Sequence, residues 1–305
     1  MRSHLAAVAL TTALTALLAG VLVGCSGDEP DPAPLPARTT GDPTGAPSRF
    51  EEYVALGDSF TAAPLVPPTD TSTLCLRSGV NYPALVAEAL PGTELTDVSC
   101  SGATTANTRT PQSGGGGSVP PQLDALGQET DLVTGGLGGN DEGLFANTMG
   151  RCVLIASQDP TGAPCTEAAR GGRDLDRMLG RITDNLVEVV ADIEERSPRA
   201  RVLLVGYPQL VPETGTCEDL PLATGDYPFA RTVNRGLADA VEAAAEKADV
   251  EFVDLWAPSA GHDICAEDPW INGRTTSPAV ALAYHPLAVE QRAVADLVLE
   301  QLDRD

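Results

Sequence analysis

The sequence predicts an α/β protein in which helices cover both faces of a parallel sheet. Short β-rich runs alternate with longer segments whose apolar residues recur every three or four positions. Successive strand candidates begin about 35 to 70 residues apart, which leaves room for a crossover helix between parallel strands. A chain of 305 residues with 42% hydrophobic residues can bury a large core. No repeat or composition break divides residues 51–305, so this segment is predicted to be one domain.

The same patterns place the individual elements. The region Thr110–Pro121 contains four consecutive glycines and is predicted to be a mobile surface loop. Gly135 and Gly136 fall inside the third strand, where glycine is costly, and no function is predicted for them. The predicted strands are Tyr53–Leu56, Leu95–Ser99, Leu132–Leu137, Arg201–Gly206 and Phe252–Leu255. The predicted helices are Tyr82–Leu90, Leu175–Glu195, Val233–Lys247 and Leu287–Leu302.

The first 24 residues have the features of a secretion signal. Arg2 and His4 precede an apolar stretch that ends in Leu22-Val23-Gly24-Cys25. Small residues before a cysteine resemble the lipobox of bacterial lipoproteins, which implies a diacylated Cys25 as the first mature residue and the only membrane anchor. The alternative is an ordinary signal peptide, with Cys25 incidental. Residues 25–50 hold six prolines and little apolar surface, so they are predicted to form a disordered linker.

Charge and cysteine content narrow the class of protein. A formal charge of −24 argues against nucleic acid as a partner, because phosphate backbones repel an acidic surface. Beyond Cys25 six cysteines remain, and no C-x-x-C pair supports a zinc or redox site. An exported chain with six cysteines is expected to form three disulfides. About 15 pairings are possible, and nearest-neighbour order gives Cys75–Cys100, Cys152–Cys165 and Cys217–Cys265.

Two histidines remain after the signal segment, and either could be a general base of near-neutral pKa. His285 precedes Pro286 at the start of the last helix, which places it at the end of an element. His262 lies in a loop close to Cys265, a position more typical of a structural role. The sequence therefore favours His285 as the base.

The ends of the first three strands carry the remaining parts of an acyl-transfer site. Ser59 follows the first strand, where a nucleophile in an open α/β sheet is expected. Gly102 follows the second strand and Asn140 the third. The backbone N–H groups of Ser59 and Gly102 and the Asn140 amide could together stabilise an oxyanion. Taken singly, each has a plainer explanation, as a helix cap, a turn glycine and a turn asparagine.

In this order the motifs resemble those of the SGNH or GDSL-type hydrolases, over most of residues 51–305. Gly57-Asp58-Ser59-Phe60 is similar to the nucleophile block, with Phe in place of the usual Leu. Ser101-Gly102-Ala103-Thr104-Thr105, Gly138-Gly139-Asn140-Asp141 and His285-Pro286 are similar to the glycine, asparagine and histidine blocks. The resemblance implies a three-layer α/β/α sandwich with a flavodoxin-like five-stranded sheet in the order 2-1-3-4-5. It also implies carboxylic ester hydrolysis without a metal or cofactor.

The six cysteines, Gly261-His262 and Trp270-Ile271-Asn272 are most similar to the three-disulfide secreted esterases and lipases of actinomycetes. Many family members carry an aspartate three residues before the histidine, but this position is Leu282 here. Some actinomycete members use a backbone carbonyl instead, which implies a Ser59–His285 dyad oriented by the Leu282 carbonyl.

The prediction is therefore a monomeric, extracytoplasmic, lipid-anchored serine esterase or lipase acting on small-molecule or lipid esters. Three alternatives stay open: a deacetylase of cell-envelope glycans, a phospholipase on the same scaffold, and a non-catalytic lipoprotein that binds glycan or lipid. An α/β-hydrolase is disfavoured because no G-x-S-x-G elbow is present.

Overall fold

The computed structural model describes residues 49–115 and 117–304. The predicted signal segment, Cys25 and nearly all of the predicted linker lie outside these residues. Phe50, the last residue of that linker, is buried in the core. The packed part of the chain therefore includes Phe50.

Five parallel strands form the main sheet. Along the chain the strands are β1 Glu52–Gly57, β2 Glu94–Asp97, β3 Gln112–Gly114, β4 Gly117–Val119, β5 Leu132–Gly136, β6 Arg201–Val205 and β7 Glu251–Val253. The main sheet has the order β2-β1-β5-β6-β7, and every neighbouring pair in it is parallel. Counted within this sheet alone, the order is 2-1-3-4-5, as predicted.

The two remaining strands correct one expectation. Thr110–Pro121 was expected to be a loop, but β3 and β4 pair there as an antiparallel hairpin on the surface. The hairpin is made of polar residues and glycine, so it carries no apolar alternation that would reveal a strand. Gln112 at its start donates from Nε2 to the Ser101 carbonyl at 2.7 Å. This bond fixes the hairpin beside Gly102.

The four long helices are confirmed, and shorter ones accompany them. In chain order the helices are α1 Ser59–Ala62, α2 Tyr82–Ala89, α3 Cys152–Ile155, α4 Pro164–Ala168, α5 Leu175–Arg196, α6 Tyr227–Ala248 and α7 Ala288–Leu302. A π-helical turn, Ala146–Arg151, precedes α3. Helix α6 begins at Tyr227 and not at Val233, because Pro228 lies in the first turn, where a missing N–H costs nothing. None of the described helices is both long and apolar enough to cross a bilayer.

Alternate side chains of strand β1 pack into two different apolar layers. Val54 and Leu56 of β1 belong to the cluster that includes α5 and α6. Tyr53 and Ala55 belong to the cluster that includes α2 and α7. Since successive strand residues point to opposite faces, the sheet lies between two helical layers. The predicted three-layer sandwich is confirmed.

The structure joins the six described cysteines as Cys75–Cys100, Cys152–Cys165 and Cys217–Cys265. This is the nearest-neighbour pairing. Each bridge ties a connecting segment, and the first joins the segment before α2 to the end of β2 beside Gly102.

Gly136 has a packing reason that the sequence did not reveal. A Cβ atom at Gly136 would lie 2.6 Å from Oγ1 of Thr61, and one at Gly57 would lie 2.2 Å from the same atom. Both glycines thus let α1 pack directly against the ends of β1 and β5. A Cβ atom at Gly135 would contact only Cδ2 of Leu204, at 3.4 Å. Packing therefore does not explain why a glycine occupies this position in the strand.

Candidate active site

Ser59 lies at the carboxyl end of β1, on a turn held by the residue before it. The Asp58 carboxylate caps α1 by accepting a hydrogen bond from the Phe60 backbone N–H at 2.8 Å. Ser59 is the first residue of that helix and is 5% exposed. Its own N–H donates to no other group within the described residues. The nucleophile candidate therefore combines a fixed backbone with an unused donor.

Two further donors follow the neighbouring strands. Gly102 has a φ of 79°, in the left-handed region that favours glycine, and its backbone N–H has no partner within the described part of the chain. The Asn140 side chain donates from Nδ2 to the Ala103 carbonyl at 2.9 Å. That bond uses one of the two amide hydrogens and leaves the other free. Ser59, Gly102 and Asn140 follow β1, β2 and β5, which are adjacent in the sheet. The structure thus brings these three sequence-predicted residues to one edge of the sheet.

His285 lies just before α7 and is held by a main-chain carbonyl, but not by the expected one. Its Nδ1 lies 2.7 Å from the carbonyl oxygen of Ala283. The Leu282 carbonyl instead accepts from Nδ2 of Asn272 at 3.0 Å and from the backbone N–H of His285 at 3.3 Å. Tyr284 has a φ of 61°, and this left-handed turn presents a different carbonyl to the ring. The prediction of Leu282 as the orienting residue is therefore wrong, and Ala283 occupies that position.

The environment of His285 keeps the imidazole neutral. The residue is 7% exposed, and its ring centroid lies 5.8 Å from that of Phe60 and 5.3 Å from that of Phe145. Burial lowers the pKa of His285 to about 4. Because a carbonyl only accepts, Nδ1 carries the proton and Nε2 keeps its lone pair. His285 is therefore a base at neutral pH.

Tyr207 takes part in the site although the sequence analysis did not select it. Its hydroxyl donates to Oδ2 of Asp58 at 2.5 Å and accepts from the backbone N–H of Gly139 at 2.9 Å. Burial raises the pKa of Asp58 to about 7, although the hydrogen bond from Tyr207 opposes that rise. Tyr207 follows Gly206 at the carboxyl end of β6, so the rule that located Ser59 could have found it.

Asp141, which belongs to the asparagine motif but had no role predicted for it, ties two of the loops together. Its side chain accepts a hydrogen bond from the Thr105 backbone N–H at 2.8 Å and another from the Thr105 hydroxyl. Nδ2 of Asn185 on α5 donates to it at 3.2 Å. These bonds hold the loop after Gly102 against the loop that carries Asn140.

An apolar pocket opens beside Ser59. It encloses about 490 Å³, part of it open to solvent. Away from Ser59 and Asn140 its polar lining is satisfied internally: Asn234 bonds the backbone of Leu210 and Pro208, and Thr148 donates to the Leu144 carbonyl. The apolar lining residues are Phe60, Leu144, Phe145, Met149, Leu210, Val211, Ala230, Val233 and Leu237. The pocket therefore offers a hydrocarbon-like environment that starts at the candidate nucleophile.

Known lipases are similar in sequence to this chain. Residues 55–289 match the model of the GDSL-like Lipase/Acylhydrolase family. The chain belongs to this family. It is 39% identical over 269 residues to Lipase 2 of Streptomyces coelicolor, covering 83% of this chain and 86% of that protein. It is 32% identical over 242 residues to a lipase of Streptomyces rimosus, covering 78% and 81% of the two chains.

A solved structure of similar fold is that of phospholipase A1 from Streptomyces albidoflavus NA297. It has a TM-score of 0.68 and 27% sequence identity, and the match covers 82% of this chain and 99% of that one. As a GDSL-family member the present chain is a carboxylic ester hydrolase. Its three disulfides indicate an extracytoplasmic location.

The second histidine of this GDSL hydrolase has the structural environment that its loop position suggests. His262 stacks on Trp270 with ring centroids 4.7 Å apart, and its Nδ1 lies 2.9 Å from the Asp268 carbonyl oxygen. Within residues 49–115 and 117–304, no three His, Cys, Asp or Glu side chains cluster as a metal site would require.

Proposed function

We propose that this GDSL hydrolase is a serine esterase or lipase that works through a Ser59–His285 dyad and an acyl-enzyme. The observation that carries the proposal is the state of His285. It is buried, neutral and held through Nδ1 by the Ala283 carbonyl, so that Nε2 is the only ring atom left to accept a proton. Phe60, the neighbour of Ser59, packs against the same ring.

The reaction proceeds in two acyl-transfer steps. Nε2 of His285 takes the proton of the Ser59 hydroxyl while Oγ attacks the ester carbonyl. The tetrahedral intermediate collapses, the ester C–O bond breaks, and His285 returns the proton to the leaving alcohol. Water then attacks the acyl-enzyme with His285 again as base. The bond between the acyl carbon and Oγ of Ser59 breaks, His285 returns the proton to Oγ, and the carboxylic acid leaves.

Three donors stabilise the negative charge that develops on the carbonyl oxygen. They are the N–H groups of Ser59 and Gly102 and the free amide hydrogen of Asn140, none of which has another partner within the described residues. Because these hydrogen-bond donors are already in position, the protein does not have to reorient them as the negative charge develops. The Asp58, Tyr207 and Asp141 hydrogen bonds hold the backbone that carries them.

The apolar pocket suits an aliphatic acyl chain. It starts at Ser59 and Asn140 and continues along Leu210, Val211 and Leu237. Each methylene buried there contributes about 0.8 kcal/mol, a gain that an acetyl group cannot use. We therefore favour esters of longer fatty acids over acetylated glycans as substrates.

Hydrolysis of 4-nitrophenyl acetate, butyrate, octanoate and palmitate tests this proposal. We expect turnover that rises from acetate to octanoate and that Ser59→Ala and His285→Ala both abolish. His262→Ala is the matched control and should keep its activity. Full activity of Ser59→Ala would reject the mechanism, and a preference for acetate would reject the acyl-chain assignment.

We also propose that a diacylated Cys25 anchors the enzyme to the outer face of the cell membrane. The small residues before Cys25 and the proline-rich segment after it support this role. One acyl chain holds a protein only weakly, whereas two hold it stably. The wild-type chain should therefore fractionate with membranes and Cys25→Ala should not. Equal membrane binding of both would contradict the anchor.

A further inference from the structure

A second cavity adjoins the apolar pocket. It encloses about 810 Å³, part of it open to solvent. Leu144, Thr148 and Val233 line both spaces, so these residues form a shared wall. The other large apolar residues of the second cavity are Leu175, Met178 and Phe229.

Two arginines without partners line this second cavity. Arg151 and Arg170 are exposed, and neither makes a hydrogen bond or ion pair within the described residues. Asp174 also lines the cavity, but its carboxylate pairs with Arg177 at 2.5 Å. The chain has a formal charge of −24, and these two arginines place positive charge beside the apolar surface of the cavity. This combination fits an anion that carries a hydrocarbon chain.

The backbone keeps the two arginines on one cavity. Arg151 immediately precedes Cys152, whose disulfide to Cys165 ties this segment to the one that leads to Arg170. Arg170 has a φ of 53°, in the left-handed region that favours glycine. A non-glycine residue held in this conformation at a cavity is consistent with a functional constraint.

We infer that the second cavity is a binding site for a long-chain fatty acid. The hydrocarbon chain would lie against Leu175, Met178 and Phe229, and the carboxylate would pair with the guanidinium groups of Arg151 and Arg170. The choice of a carboxylate rests on the proposed function, because a carboxylic acid would be the product formed in the acyl pocket on the other side of the shared wall. The site would then hold product beside the active site.

Isothermal titration of laurate into the full-length Ser59→Ala protein tests this site without any turnover. The test variant adds Arg151→Ala and Arg170→Ala, which lie outside the lining of the acyl pocket. The control adds Arg292→Ala, an exposed arginine of α7 that likewise has no partner within the described residues. Dodecanol, which has the same chain length and no charge, is titrated in parallel.

We expect the double arginine variant to bind laurate about 2- to 25-fold more weakly, since each exposed ion pair changes affinity by a factor of about 1.4 to 5. The Arg292 control and all dodecanol titrations should show no change. Equal laurate affinity in both variants would overturn the inference, as would a matching loss of dodecanol binding. Arginine-dependent binding of lysophosphatidylglycerol that exceeds that of laurate would also overturn it, in favour of a phosphodiester ligand.

The outcome is separable from that of the proposed function. Arginine-dependent laurate binding in a protein whose wild type hydrolyses no ester would keep the fatty-acid site and reject the esterase mechanism. Ester hydrolysis by a protein whose laurate binding does not depend on the two arginines would keep the esterase mechanism and reject the fatty-acid site.

Discussion

The Tyr207 hydroxyl donates a 2.5 Å hydrogen bond to Oδ2 of Asp58, the residue that precedes Ser59. The same hydroxyl accepts from the Gly139 backbone N–H, next to Asn140. One side chain at the end of β6 therefore fixes both the nucleophile turn and the asparagine loop. Tyr207 is a positioning residue in this account, since it acts through the backbone of its neighbours.

Tyr207→Phe should lower both stability and turnover. It removes the Tyr207 hydroxyl that donates to Asp58 and accepts from the Gly139 N–H, and a buried polar group that loses its partner costs about 1–3 kcal/mol. We expect kcat to fall while KM for a given ester changes little, as measured by steady-state kinetics beside thermal unfolding.

Tyr227→Phe is the matched control for this substitution. The Tyr227 hydroxyl bonds the Leu220 carbonyl and lies outside the lining of the acyl pocket. It should lose stability and keep kcat. If both variants keep kcat, Tyr207 has no positioning role.

Asn140→Ala should reduce kcat by about 10²–10³-fold, the usual loss on removal of one oxyanion donor. KM should change much less, because an oxyanion donor binds the charge that develops in the transition state more strongly than it binds the neutral ester carbonyl. Steady-state kinetics with 4-nitrophenyl octanoate measure both constants. An unchanged kcat would remove Asn140 from the site.

The acid limb of the pH–rate profile should lie near pH 4. Burial lowers the pKa of His285 to about 4, so the base is neutral above that pH and protonated below it. A plot of kcat/KM against pH should fall tenfold per unit below the limb, in the wild type and in His262→Ala alike. A limb at pH 6.5 would contradict the burial of His285.

Stability should fall as the pH rises because of Glu290. This carboxyl is buried in α7, accepts a 2.6 Å hydrogen bond from Gln291 Nε2, and has a pKa raised by burial from 4.5 to about 8. Between these values the folded state binds more protons than the unfolded state, so stability present at pH 4.5 is lost as the pH rises towards 8.

The melting temperature of Glu290→Gln minus that of the wild type should therefore increase as the pH rises from 5 to 8. The exposed Glu300 of the same helix provides the control, and Glu300→Gln should follow the wild-type curve. A constant difference between Glu290→Gln and wild type across this range would contradict the raised pKa.

The sheet and the main site residues were predictable because they follow local rules. Buried strands, amphipathic helices and polar residues at strand ends predicted a parallel sheet between helices and located Ser59, Gly102, Asn140 and His285. The strand order came only from the resemblance to the GDSL-type hydrolases. The Ala283 carbonyl was not predictable. A main-chain atom carries no residue-type signal, and which carbonyl faces the ring depends on the left-handed turn at Tyr284.

Tyr207 and the second cavity were missed for a different reason. The place of Tyr207 after β6 satisfies the strand-end rule, but its contact with Asp58 spans 149 residues of sequence, and no local pattern encodes that contact. The β3–β4 hairpin was not predicted because it is polar and rich in glycine. Arg151 and Arg170 were not selected because their lack of partners within the described residues can be recognised only in the folded chain.

Labelling with an alkyl fluorophosphonate, followed by peptide mass spectrometry, tests the central claim most directly. We expect one adduct on the peptide that contains Ser59, absent in Ser59→Ala, much slower to form in His285→Ala and unaffected in His262→Ala. An adduct on another serine, or no adduct on folded protein that hydrolyses esters, would contradict the assignment of Ser59 as the nucleophile.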